Sequence, residues 1–240
     1  VIGMNFKQIP AVFELIVSSA FGWNQAFGGM MGAAMMNGIK RGLFSNEAGE
    51  GSAPNVAATA DVSHPVKQGL IQTLGVFSDT LVICTCTAFI ILFSGVAFGS
   101  DSNGIQLTQL ALSSQIGKTG NVFVAVAILF FAFSSVIGNY YYGEANLRYL
   151  TGSKTVMTIF RLMVCGMVMF GALASLDLAW SLADLCMGFM TACNLIAIFM
   201  LSKYAVRLLD DYRSQKRQGI KDPVFTKDRM PDIQQDLECW

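Results

Sequence analysis

The chain reads as an all-α integral membrane protein, and three observations lead there. Of its 240 residues 53% are hydrophobic and only 13% are charged, against about 25% charged in a soluble domain. The shortfall is concentrated in long uncharged runs. At 1.5 Å per residue, about 20 apolar residues let a helix cross the hydrocarbon core. Finally, Lys and Arg cluster in alternate connections between those runs, the pattern that orients membrane proteins.

Taken in order, five segments are long enough to span. The first, residues 11–36, is irregular: it carries Glu14, Asn24 and Gln25 and is rich in glycine, with Gly22, Gly28, Gly29 and Gly32. The second covers 69–96, the third 122–146, the fourth 156–176 and the fifth 178–200. Lipid-facing backbone must satisfy its own hydrogen bonds, so these are helices. The ten-residue alternation of a membrane barrel does not occur. Residues 1–202 thus form a transmembrane domain and 203–240 a polar tail, whose first part, 203–217, reads as a helical extension.

Orientation follows from the cations. Lys40, Arg41 and Lys67 follow the first span, and Arg148 and Lys154 follow the third. Eight more, from Lys203 to Arg229, follow the fifth. The opposite side holds Lys7 and Lys118. The expected arrangement is a multi-pass protein of the plasma (inner) membrane, with residues 99–120 as an external loop and the C-terminus cytoplasmic. The formal net charge is zero, which removes the electrostatic basis for binding nucleic acid. Of the six cysteines, five lie in apolar runs and none forms a CxxC motif, so small core residues are expected rather than a metal site. The chain begins at Val1, and the segment behind it is not a signal peptide. Further sequence is therefore expected to precede it.

Polar groups inside the spans are the functional candidates. A charge at mid-membrane costs at least about 2.5–3.5 kcal/mol, so it should face protein or water. Asp79 lies well inside the second span and Asp184 early in the fifth, while Glu14 lies near the external end of the first, where it can reach the interface. The stretch 19–29, SAFGWNQAFGG, combines glycine with polar residues that weaken a helix. It is either an interrupted helix offering backbone groups to a ligand or a small-residue packing face. In the third span, FAFSSVIGNY (131–140) places Ser134 beside Ser135, with Asn139 four residues on. The two hydroxyls are oxygen ligands suited to a small hard cation, or else each bonds back to its own helix. Glu144 and Arg148, also four apart, can pair on one helix face. The loop 40–65 sets Asn46, Glu47 and Glu50 among Gly42, Gly49 and Gly51 without a phosphate-binding pattern. It is a gate or hinge, or an ordinary connector.

The segment GLFSNEAGEGSAPNVAATA (42–60) resembles the signature of the alanine or glycine:cation (sodium:alanine) symporter family. AFGWNQAFGGMMGAAMMNGIKRG, FAFSSVIGNYYYGE and the tail DYRSQKRQGIKDPVF are similar to that family as well. The resemblance covers nearly the whole chain. It implies a leucine-transporter-type fold of two inverted five-helix repeats, with this chain as the C-terminal half: helices six to ten and the tail. The absent partner would be the N-terminal repeat of the same protein. The implied activity is sodium-coupled symport of alanine or glycine, with no cofactor other than the coupling ion Na+. Ser134, Ser135 and the Phe131 carbonyl would hold sodium. Phe21, Gly22, Gln25, Ser135, Val136 and Asn139 would border the amino acid. A membrane enzyme is the first rival, but the sole histidine, His64, lies in a loop, so a His-dependent site at depth is excluded. The second is a truncated fragment or assembly component with no transport of its own.

Overall fold

The computed structural model describes residues 1–20, 29–95, 104–235 and 237, with the backbone alone given at 29–34 and 43. Among the described residues the regular structure is helical, with no strand. Eight helices run in order: α1 Ile9–Ala20, α2 Gly29–Asn46, α3 Ala53–Ala57, α4 Pro65–Phe93, α5 Ile105–Ile116, α6 Lys118–Leu150, α7 Lys154–Leu173 and α8 Leu176–Arg217. Four of them, α4, α6, α7 and α8, are long and apolar enough to cross a membrane. The all-α membrane reading therefore holds. Of the first expected span, α1 and part of α2 are described. Residues 21–28, where its interruption is expected, lie outside the described residues.

Apolar side chains on these helices face outward. Phe131 is 72% exposed and Phe199 83%. Such faces in water would be an aggregation liability; against acyl chains they are matched to their solvent.

The chain divides into two compact units, Val1–Asn46 with Ser78–Ser175, and Glu47–Phe77 with Leu176–Trp240. In the first, Val12 of α1 packs on Phe89 and Phe93 of α4. The two rings lie 5.6 Å apart. Residues 105–116, expected within a loop, form α5, whose Ala111 and Leu112 are buried. Gln115 explains its seating. Its amide donates to the Phe93 carbonyl (2.9 Å), one of the last acceptors of α4, and its oxygen accepts from Asn5 Nδ2 (3.1 Å). Helix α5 was not legible because its apolar residues follow no sustained helical stripe. Its partner α6 approaches at Gly120, where a Cβ would meet the Leu112 carbonyl carbon and oxygen at 2.9 Å.

The second unit is held by polar contacts around the start of α4. Helix α8 ends in a Schellman motif: Ile220 N–H donates to Gln215 O and Gly219 N–H to Lys216 O, both 3.1 Å, with Gly219 at φ 84°. The chain then turns back. Gln215 pairs with the Val224 backbone in both directions, at 2.9 and 3.0 Å. Phe225 N–H donates to Ser63 O (2.9 Å), Ser63 Oγ to Pro223 O (3.1 Å), and Lys67 pairs with Asp222. Beneath this strap His64 is fully buried. Its Nε2 lies 3.2 Å from Asp211 Oδ2, and its Nδ1 accepts the Val66 N–H at 3.2 Å. With Nδ1 accepting, Nε2 carries the proton and donates to Asp211. Tyr212 and Phe225 meet the ring edge-on. Arg229 and Gln215 also donate to Asp211.

Two outcomes follow. Gly120→Ala forces backbone apart and should cost about 1–3 kcal/mol, read as a lower thermal unfolding temperature in detergent. Burial pushes His64 below its ordinary pKa, with the Asp211 contact opposing and Lys67 and Arg229 reinforcing. The undocked chain therefore takes up a proton below about pH 6.5 that the docked state resists, so strap stability is full above that pH and falls as pH drops. Protease cleavage within 218–233 should be faster at pH 5.5 than at 7.5, and His64→Phe should flatten that difference.

Candidate functional site

Five of the expected site residues lie on α6. Ser134 Oγ donates to the Phe131 carbonyl at 3.0 Å, one turn earlier, and Asn139 Nδ2 donates to the Ser135 carbonyl at 2.9 Å. The two hydroxyls, the amide and the two carbonyls thus gather within two turns. Exposed on this helix, Ser134 and Ser135 keep their oxygens open to a further partner. Phe21, Gly22 and Gln25, the other expected contacts, lie outside the described residues.

Ser135, Val136 and Asn139 share one groove with Tyr140 and Gly143, facing Phe160, Met163 and Met167 of α7 across about 480 Å³. The spacing of three to four residues puts them along one stripe of α6. The stripe can come close because Gly143 has no side chain: a Cβ there would sit 2.6 Å from Phe160 Cζ. Phe160 stacks on Tyr140 with centroids 5.9 Å apart. Arg161 donates from Nε to the Tyr140 hydroxyl at 3.0 Å. Glu144 then lies between two guanidinium groups, Arg148 at 2.5 Å and Arg161 at 3.4 Å. The Glu144–Arg148 pair was readable from its i,i+4 spacing. The Tyr140–Arg161 contact, 21 residues apart, carried no local signal.

A second polar cluster surrounds Asp79. From Asp79 to Cys84 the α4 backbone widens to i→i+5 hydrogen bonding, and the Thr85 hydroxyl donates to the Thr80 carbonyl at 3.2 Å. Such widened turns recur at functional positions in helices. Here the turn receives the last residues of α2. Ser45 Oγ donates to Asp79 Oδ2 at 2.8 Å. Asn46 and Thr80 bond reciprocally, at 2.9 and 3.1 Å. The carboxylate thus has a hydroxyl donor. Beyond Asn46, the loop has Glu47, Gly49 and Gly51 all at positive φ. Within it the buried Ser52 hydroxyl lies 2.9 Å from Glu47 Oε2 and 3.0 Å from Glu50 Oε1, donating to one at a time. Burial, and then repulsion from Glu47, raise the Glu50 pKa against the Ser52 bond. Asn194 of α8 donates to Gly49 O at 3.0 Å and closes the loop. The motif that stood out in the sequence is therefore ordered by contacts of its own and with α8. Among the described residues no group of acidic, His and Cys side chains could hold a metal ion.

Membrane-length apolar helices, with their polar side chains drawn into helix contacts, define a polytopic α-helical membrane protein. More narrowly, the chain belongs to the sodium:alanine symporter family, whose profile matches residues 1–227. It is 55% identical over 240 residues to the probable sodium/glutamine symporter GlnT of Bacillus subtilis, covering all of this chain and 50% of that one. It is 51% identical over 236 residues to the amino-acid carrier protein AlsT of the same organism, covering 98% and 50%. To the sodium/alanine symporter AgcS of Methanococcus maripaludis it is 40% identical over 209 residues, covering 86% and 46%. The chain thus spans about half the length of the curated relatives it matches. No solved structure matches it significantly. These relatives are carriers rather than enzymes.

The Asp79 cluster has a direct chemical test. Ser45 Oγ and Cys84 Sγ lie 3.7 Å apart. Ser45→Cys should therefore form a disulfide with the native Cys84 under mild oxidation, seen by mass spectrometry after digestion. Ser45→Cys with Cys84→Ser should not.

Proposed function

We propose that this chain is the C-terminal half of a sodium-coupled symporter of small neutral amino acids that works by alternating access. Membership of the sodium:alanine symporter family carries this reading. In it the chain supplies helices six to ten, the second five-helix repeat of a leucine-transporter-type fold, and the N-terminal repeat of the same protein completes the site. The protein lies in the plasma (inner) membrane with its C-terminus in the cytoplasm, as the Lys and Arg distribution favours.

Sodium binds at Ser134, Ser135 and the carbonyl of Phe131. Family membership supports this; on cation entry the Ser134 hydroxyl, now donating to that carbonyl at 3.0 Å, turns its O–H away and both oxygens present lone pairs to the ion. The amino acid contacts Ser135, Val136 and Asn139, together with Phe21, Gly22 and Gln25. A carrier of this kind needs oxygen ligands and dipoles at mid-membrane and no covalent step. Alanine and glycine are the proposed substrates. Glutamine competes with them, since a relative 55% identical is a probable sodium/glutamine symporter. The loop 41–54 couples opening on the cytoplasmic side to the first span.

Uptake of labelled alanine, glycine and glutamine by cells expressing the complete coding sequence tests this. Transport should require sodium. Ser134→Ala with Ser135→Ala should raise the sodium concentration for half-maximal uptake at least about tenfold, equivalent to about 1.4 kcal/mol of lost ion binding. Sodium-independent uptake untouched by both substitutions would remove the ion assignment.

A further inference from the structure

The short connection Thr151–Ser153 between α6 and α7 borders a recess of about 540 Å³, lined by Arg148, Thr151, Gly152, Lys154, Thr158 and Arg161. Three cations thus line one recess, and Glu144 beside it offsets a single charge. Glu144 takes one contact from Nη2 of each arginine, and Tyr140 takes the Arg161 Nε–H. A guanidinium carries five N–H donors, so both arginines keep donors to spare, and their side chains are 66% and 54% exposed. Exposed Lys154 makes no ion pair among the described residues. The hydroxyls divide as well. Thr158 spends its own on the Lys154 carbonyl at 3.0 Å, whereas Thr151 accepts the Ser153 N–H at 3.3 Å and keeps its O–H free to donate.

The recess also lies where the apolar runs end. Tyr140, Tyr141, Tyr142 and Tyr149 precede it on α6, and tyrosine gathers at the level of lipid headgroups. Met157 lines the recess as well, and the chain neighbours of its lining residues include exposed apolar side chains, Leu150 (78%) and Leu162 (68%). A net positive recess with an exposed apolar rim has two complements in one molecule, an anionic phosphate and an acyl chain.

We propose that this recess binds the headgroup phosphate of an anionic phospholipid. Arg148 and Lys154 bind its oxygens, and the Thr151 hydroxyl donates a further hydrogen bond. Arg161 positions the site, because its Nε and one Nη2 contact are committed to Tyr140 and Glu144. A free phosphate ion would meet the same donors; the apolar rim favours the lipid. This site is independent of the transport reading.

The test uses the protein expressed from its complete coding sequence, purified and delipidated in a neutral detergent. Its thermal unfolding is followed with phosphatidylglycerol, phosphatidylcholine or inorganic phosphate. Phosphatidylglycerol should raise the unfolding temperature, and the other two should not at equal phosphate. The lipid concentration giving half the effect should rise at least fivefold in Lys154→Gln and further in Lys154→Gln with Arg148→Gln, while Lys154→Arg keeps the wild-type response. Elution volume and circular dichroism identify any variant that is misfolded, and Lys154→Gln, at an exposed position, carries the decision if the double variant is. Equal protection by phosphatidylcholine would overturn the proposal. So would an unchanged response in a folded Lys154→Gln. Equal protection by inorganic phosphate would assign the recess to a soluble anion and overturn the lipid.

Discussion

Hydrocarbon offers no hydrogen bonds, and this one constraint orders the molecule. Each backbone N–H and C=O at membrane depth must find a partner in the chain, so the spans are helices. The same demand reaches the side chains. Thr73 donates to Gly69 O, Thr87 to Ile83 O, Ser134 to Phe131 O and Ser202 to Phe199 O. Each is a hydroxyl folded back on its own helix, the least costly arrangement where no water waits. At the widened turn that begins at Asp79, the Thr85 hydroxyl compensates at the Thr80 carbonyl.

Charge inside the spans is handled in the same spirit. Asp79 accepts from Ser45, and Glu144 is held by two arginines. Outside the spans the rules relax, and the polar contacts become denser. Asp211 accepts from His64, Gln215 and Arg229 together, and the strap after α8 is fixed by backbone and side-chain bonds rather than by apolar burial alone. The two environments thus divide the labour: lipid solvates the exposed faces of the long helices, and hydrogen bonds shape the connections.

How much of this could be read from sequence depends on the range of the signal. The all-α class and four long apolar helices were legible, because length and apolarity are local. So was the Glu144–Arg148 pair, whose spacing is one helical turn. Helix α5 was not, since it is short and lacks an amphipathic stripe; what places it is Gln115, reaching 22 residues back to Phe93 and 110 back to Asn5. The partner of Asp79 lies 34 residues away, and no periodicity announces it. For Ser134 and Ser135 the sequence left two readings, an ion site or a bond back to the helix. The structure shows the back-bond for Ser134, at the i−3 carbonyl, and that carbonyl is the one expected to share in holding the ion. The family itself was legible from a motif, GLFSNEAGEGSAPN, whose conformation composition alone did not reveal.

Helix α8 is far longer than a membrane crossing requires. Its 42 residues extend roughly 63 Å at 1.5 Å each, about twice the hydrocarbon thickness. The excess is a rigid rod beyond the apolar part, and the folded-back strap rides on its end. A rod of this length is a lever. Tilting it by only about 10° about its middle swings its tip by about 5 Å. Because Lys67 and Ser63 grip that tip through Asp222, Pro223 and Phe225, such a swing must either drag the first turn of α4 with it or tear the strap loose. The last helix and the entrance to the second span are mechanically geared.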